Sequence, residues 1–93
     1  MVVRALMDDP HGRHWGYHLL KRAGTRSGVL YPILHRMLDE GWLADGWEEP
    51  ASTNGRPPRR YYEVTPEGLE AMGAMVAAAR TDARLPRLKG LPA

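Results

Sequence analysis

The chain of 93 residues contains no cysteine. This absence excludes a disulfide framework, a thiolate zinc site and a cysteine nucleophile. Long apolar runs are also missing: none approaches the roughly 18 residues that span a bilayer, and the first residues lack the order of a signal peptide. We therefore predict a soluble, cytoplasmic protein with no membrane partner.

Catalytic signatures are missing as well. The sequence has no phosphate-binding loop and no dinucleotide fingerprint, and its only serines are Ser27 and Ser52. His14 and His18 are spaced as i and i+4 on a predicted helix, with His11 nearby, but no carboxylate is placed as a further ligand. We therefore predict that the protein is not an enzyme and requires no cofactor or metal.

The composition is that of one small globular domain, with 43% hydrophobic and 26% charged residues. A chain of this length buries only about 60–65% of its surface on folding, which favours a second subunit as a source of buried area.

Positive charge is concentrated in two segments, although the net charge is only +2. Residues 1–26 carry five basic and two acidic groups, and residues 51–65 carry three and one. Residues 27–50 carry one basic and five acidic groups. Such clusters are typical of a surface that binds a polyanion.

The periodicity of apolar residues predicts the order helix, helix, helix, strand, loop, strand, helix. The predicted elements cover residues 1–7, 15–23, 27–40, 42–48, 61–64 and 66–83. Thr25 or Ser27 is expected to cap the third helix, and Thr65 to cap the fourth, where Pro66 and Glu67 follow it. We expect Trp15, Trp42 and Trp47 to pack in the core and at the base of the hairpin.

This order predicts an α+β fold that is mainly helical. Helices two and three are separated by a glycine-containing turn, which is typical of a helix-turn-helix, and the strand pair that follows makes it a winged helix-turn-helix. We expect the DNA-binding domain at residues 1–65, an added C-terminal dimerisation helix at 66–84 and a flexible tail at 85–93.

The candidate DNA-binding residues lie on the third helix and on the loop between the strands. The exposed side of the helix, whose N-terminal end would lie nearest the base edges of the major groove, carries Arg26, Ser27, Gly28, Tyr31 and Arg36. The loop tip carries Arg56, Arg59 and Arg60 beside two prolines that restrict its backbone. Double-stranded DNA is therefore the predicted partner.

A second copy of the chain is the other predicted partner. Apolar residues of the fourth helix continue beyond the compact domain and would be exposed in a monomer. The expected dimer interface comprises Leu6, Met72, Met75, Val76 and Ala79. The alternative is a winged-helix module that contacts only protein, since a fold does not determine function. Such a module has no need of the arginines at the loop tip.

Several stretches together resemble the PadR-like transcriptional regulators, over roughly residues 4–72. They are Gly16-Tyr17-His18-Leu19, the run from Ser27 to Arg36 with its Leu-Tyr-Pro sequence, Glu40-Gly41-Trp42-Leu43, the run from Gly55 to Tyr62, and Thr65-Pro66-Glu67-Gly68. Val29 departs from the family, which often has threonine there.

The resemblance implies a winged-helix dimer that represses a promoter by binding a palindrome, often with release by a small-molecule effector. It also implies that Ser27, Gly28, Tyr31 and Arg36 face the DNA from the helix, and Arg56 and Arg59 from the wing.

Overall fold

The structure is a computed structural model that describes residues 2–84, so the predicted tail at 85–93 lies outside the described residues. Four helices and three strands follow in the order α1, β1, α2, α3, β2, β3, α4. Their bounds are Val2–Met7, His14–Trp15, Gly16–Ala23, Ser27–Asp39, Leu43–Trp47, Arg60–Val64 and Pro66–Arg84. A short 3₁₀ helix, Pro50–Ser52, lies in the loop between β2 and β3.

The turn between α2 and α3 has the predicted length. Gly24 adopts a left-handed conformation with φ of 63°, and its N–H group bonds to carbonyl oxygens of the last turn of α2. Arg26 occupies the N-cap of α3 and makes no side-chain capping bond. The expected cap from Thr25 or Ser27 is therefore wrong. The helix begins at Ser27, and the N-cap position before it is occupied by Arg26 in an extended conformation.

The three strands form one antiparallel sheet in the order β1-β3-β2. The strand β1 was not predicted, since two residues are too few to show a period. Its Trp15 pairs with Tyr61, which in turn pairs with Gly46 across the sheet. The winged helix-turn-helix prediction is confirmed, and the wing is the β2–β3 hairpin with its loop.

The hydrophobic core lies between the helices and one face of the sheet, and includes Leu19, Leu30, Leu34 and Tyr62. Leu6 and Met72, predicted at the dimer interface, are fully buried within the single chain. They cannot add buried area to a dimer, so their assignment is corrected to the core. Trp47 is 64% exposed, so its expected packing is wrong.

The start of α4 is attached to the segment that joins α3 to β2. The Thr65 hydroxyl donates to the Gly41 carbonyl oxygen at 2.5 Å and accepts from the Gly68 N–H group at 3.0 Å, as the predicted cap requires. The Thr65 N–H group also donates to the Trp42 carbonyl oxygen. Gly68 lies so close to the Trp42 backbone that a Cβ there would overlap it.

None of the described helices is both long and apolar enough to cross a lipid bilayer.

Candidate nucleic-acid interface

The N-terminal turn of α3 is exposed, as expected for a helix that enters a groove. Arg26, Ser27, Gly28 and Val29 all lie at the surface, and nothing lies within 4 Å of the position that a Cβ on Gly28 would take. The Arg26 carbonyl oxygen accepts from the N–H groups of Val29 and Leu30. The preceding N–H groups have no partner within the helix and are available to an acceptor.

Tyr31 lies on the side of α3 that faces the start of α2. Its phenol oxygen is so close to Gly16 that a Cβ at this position would overlap it, and the ring carbon that bears the oxygen would be 3.3 Å away. The absence of a side chain at residue 16 therefore allows the Tyr31 ring to extend across the α2 start toward the wing. Glycine lowers the stability of a helix, so the packing of Tyr31 explains why a glycine stands at residue 16 of α2.

Arg56 and Glu48 form a bidentate ion pair at the wing. Two guanidinium nitrogens of Arg56 donate to the two carboxylate oxygens, at 2.6 and 2.8 Å. Glu48 also accepts from the Arg59 N–H group at 2.8 Å, and its own N–H group donates to the Arg59 carbonyl oxygen. The hydrogen bond from Arg56 lowers the pKa of Glu48 to about 2, and the same bond raises the pKa of Arg56.

The other two wing arginines differ from Arg56 and from each other. Arg60 pairs with the Asp45 carboxylate, to which its Nε donates at 2.7 Å, and its guanidinium lies over the Tyr62 ring. The Arg59 guanidinium lies over the Tyr17 ring, 5.0 Å from its centroid, and has no ion pair with a carboxylate of the described chain. The sequence groups the three guanidiniums at the loop tip as candidate DNA-binding residues, and the structure distinguishes them.

The helix α3 and the wing meet at one cleft, which we call the wing cleft. Its volume is about 310 Å³. It is lined by Gly16, Tyr17, Tyr31, Arg59, Arg60 and Tyr62. The structure thus brings together three of the predicted residues, one from α3 and two from the wing.

Arg36 is not brought together with them. It lines a different cavity of about 410 Å³ between α3 and α4, together with Ile33, Met37, Glu40, Trp42 and Met75. Arg36 lies five positions after Tyr31. In an α-helix with about 3.6 residues per turn, side chains five positions apart point to different faces. The structure therefore places Arg36 at this second cavity, and its DNA contact stays a prediction.

The sequence reasoning missed Glu48, Asp45 and Tyr17. A signal existed for the two acids, since both stand in the predicted strand 42–48 that precedes the basic loop, and opposite charges on paired strands attract. Their pairing with Arg56 and Arg60 depends on the register of the hairpin, in which Trp47 is opposite Arg60.

The histidines do not form the helical pair considered from their spacing. His14 lies in β1, where it is buried and its Nε2 is 2.8 Å from the Asp9 carbonyl oxygen. His18 lies in α2, beside the Tyr17 ring. Within residues 2–84, no group of three or more histidine and acidic side chains is arranged to hold a metal ion.

A family model described as the transcriptional regulator PadR-like family matches residues 5–74. The chain belongs to the PadR-like family. The match covers the end of α1, the helix-turn-helix, the wing and the first part of α4. The predicted resemblance is therefore confirmed, and the PadR-like chain is a regulator of transcription that binds DNA.

Solved structures of similar chains carry the same description. A PadR-like transcription factor from Bacteroides fragilis is 29% identical, with a TM-score of 0.69, over 94% of this PadR-like chain and 87% of the other. A PadR family regulator from Eggerthella lenta is also 29% identical, with a TM-score of 0.66, over 88% and 70% of the two chains.

A third structure, from hypervirulent Clostridium difficile, is 21% identical with a TM-score of 0.75, over 94% and 91% of the chains, and shows the shared PadR-like fold. A comparison with curated protein sequences gives no significant match.

Proposed function

We propose that this PadR-like chain is a repressor that binds a palindromic operator in double-stranded DNA as a homodimer. The observation that carries the proposal is the wing cleft, where Tyr31 of α3 and Arg59 of the wing line one surface. A helix in the major groove and a ribbon over the adjacent phosphates can then contact the same duplex.

The helix contributes sequence recognition. Arg26 and Ser27 are exposed at the start of α3, where side chains reach base edges, and Gly28 allows the backbone to approach the DNA closely. Tyr31 extends from this helix toward the wing. Arg36 lies beside Met75 instead and is assigned to the cavity between α3 and α4.

The wing contributes phosphate contacts of unequal strength. Arg59 is the wing cation without a carboxylate partner in the described chain, so we assign it the main contact. Arg56 and Arg60 are neutralised by Glu48 and Asp45, and their role is to hold the hairpin in shape.

The dimer is assigned to α4. Met75 is 46% exposed, Val76 is half-buried and Ala79 is exposed, so a two-fold partner would cover apolar surface there. The cavity beside Met75, which Trp42, Arg36 and Glu40 also line, is where a small-molecule effector would contact this interface and release the repressor from DNA.

The test uses a labelled duplex that contains the DNA immediately upstream of this protein's coding sequence, and a random duplex of equal length. We expect a retarded complex with the first at protein concentrations that leave the second free, and an affinity that falls steeply with salt. Equal affinity for the two duplexes, or an affinity that does not change with salt, would contradict the proposal.

The dimer is tested by light scattering on a sizing column. Ala79→Glu introduces a charge into the expected interface, and Ala74→Glu introduces the same charge on the opposite side of α4, where it is exposed. We expect a dimeric mass for the natural chain and for Ala74→Glu, and a monomeric mass for Ala79→Glu. A monomeric natural chain at micromolar concentration would contradict the assignment.

A further inference from the structure

The wing cleft is lined by a buried tyrosine whose hydroxyl group the protein itself does not use. Tyr62 is 3% exposed, lines the cleft, and its hydroxyl has no hydrogen-bond partner among the described residues. Every polar side-chain atom that the described part of the chain seals from solvent does have a partner. The Tyr62 hydroxyl therefore reaches solvent, and the cleft that the residue lines is the opening available to it.

An unpartnered hydroxyl that reaches solvent from a buried residue is free to donate to a molecule bound in the cleft. Burial raises the pKa of Tyr62, so the phenol stays protonated at neutral pH and can donate to an acceptor in the cleft.

A second phenol lines the same cleft. The Tyr31 hydroxyl, held against Gly16, has no hydrogen-bond partner among residues 2–84. Tyr31 and Tyr62 lie close enough for their phenols to affect each other electrostatically. Two phenol donors from different elements, α3 and β3, thus surround one space.

The charge at the cleft is positive. Arg59 and Arg60 both line it, and only Arg60 is paired with a carboxylate, that of Asp45. No acidic residue lines the cleft. Because guanidinium and phenol groups supply donors, the donor set of the cleft fits an oxyanion with several acceptor oxygens, such as a phosphate group.

We propose that the wing cleft binds a phosphate group of the DNA backbone, with the Tyr62 and Tyr31 hydroxyls and the Arg59 guanidinium as donors. The inference rests on the proposed DNA contact of α3 and the wing, and adds Tyr62, a core residue, to the interface. A phosphate held between the two elements fixes the helix and the wing relative to the same strand. This contact positions the protein without reading sequence.

The first test compares Tyr62→Phe, which removes one oxygen atom, with Tyr61→Phe as the matched control. Tyr61 is the neighbouring residue of β3, on the opposite face of the sheet, and does not line the cleft. We expect Tyr62→Phe to weaken binding to the upstream duplex and to the random duplex by the same factor, roughly three- to tenfold. The control should bind like the natural chain.

Tyr31→Phe is the second variant, because Tyr31 is 37% exposed and its loss of oxygen leaves the core intact. A circular dichroism melt shows whether each variant is folded. If the natural chain binds DNA and both variants bind equally well, the phosphate site is wrong and the proposed function stands. If the natural chain binds no duplex, the proposed function itself fails.

The source of the phosphate is tested with neutral methylphosphonate linkages placed one at a time along the duplex. We expect one position in each half-site to weaken the natural chain, and to weaken Tyr62→Phe by a smaller factor, since one of the three donors to that phosphate is already absent. Additive losses at every position would overturn the proposal.

Inorganic phosphate is titrated in parallel. Its binding to the cleft, together with unchanged affinity for all modified duplexes, would assign the site to free phosphate and overturn the DNA contact.

Discussion

The Glu48 carboxylate accepts from two guanidinium nitrogens of Arg56, at 2.6 and 2.8 Å, and at the same time from the Arg59 N–H group. One acidic side chain thus connects the loop to both strands of the hairpin. Negative charge near the proposed DNA-binding surface would repel phosphates. The hydrogen bonds of Glu48 give it a structural role instead, because they hold the loop in one conformation.

The first prediction concerns the titration of this carboxyl group. Glu48 should titrate with a pKa of about 2, because the Arg56 hydrogen bond stabilises its charged form. A folded-state pKa below the unfolded value means that the stabilisation is present above about pH 4.5 and is lost as the pH falls toward 2.

The measurement is the carbon chemical shift of the Glu48 carboxyl group against pH. In Arg56→Ala the midpoint should rise toward the ordinary range. In Arg60→Ala, which breaks the other ion pair of the hairpin, it should stay low. A low midpoint in Arg56→Ala would show that the pair is not its cause.

The second prediction separates the wing arginines. Arg59→Ala should weaken duplex binding roughly tenfold, as expected for one charged hydrogen bond. It should also reduce the slope of log affinity against log salt by about one. Arg56→Ala should weaken binding less and leave the slope unchanged, because Glu48 already balances its charge. Anisotropy titrations at four salt concentrations measure both values.

Arg4→Ala, on the exposed surface of α1, is the control for this series and should change neither quantity. Equal slopes for Arg59→Ala and Arg56→Ala would contradict the distinction between paired and unpaired guanidiniums.

The third prediction concerns two glycines of α4. Gly68→Ala should lower the free energy of unfolding by about 1–3 kcal/mol or more, because its Cβ would meet the Trp42 backbone, with the carbonyl carbon at 2.7 Å. Gly73→Ala meets nothing within 4 Å and should raise it by about 0.5–1 kcal/mol, since alanine is the better helix former. Urea denaturation measures the free energy of unfolding of both variants. Equal shifts in Gly68→Ala and Gly73→Ala would contradict the close contact between residue 68 and the Trp42 backbone.

The fourth prediction uses Gly28. Gly28→Ala should leave the unfolding free energy unchanged or raise it by up to about 1 kcal/mol, since the site is helical and open. It should nonetheless weaken binding to the upstream duplex, because the new methyl group projects from the surface that approaches the groove. Tighter binding would remove Gly28 from the interface.

Local signals predicted the elements that local sequence determines. The start of α4 was correct because Thr65, Pro66 and Glu67 favour a helix start on their own. Leu30 and Leu34 are spaced as i and i+4 on α3, a spacing that predicts one buried helix face, and both lie in the core. The strand β1 was missed because its existence depends on pairing with β3, which lies about 45 residues further along the chain.

The errors at the candidate nucleic-acid interface have the same origin as the missed strand, because they concern contacts between distant parts of the chain. A helical stripe shows that Met72 is buried and does not show whether its own domain or a partner covers it. Arg56 and Arg60 are basic in the sequence, and only the register of the hairpin places acids opposite them. The wing cleft forms where α2, α3 and β3 meet, so the sequence alone did not single out Tyr62 as a site residue.

The attachment of α4 at Thr65 and Gly68 has a consequence for the geometry of the operator. These residues fix the first turn of α4 against Gly41 and Trp42, which lie in the short segment between α3 and β2. The axes of α3 and α4 are therefore coupled within each subunit. In a two-fold pair joined through α4, the angle between the axes of α3 and α4 determines how many base pairs separate the centres of the two half-sites. A compound that tilts one of these axes would change the half-site separation to which the pair can bind.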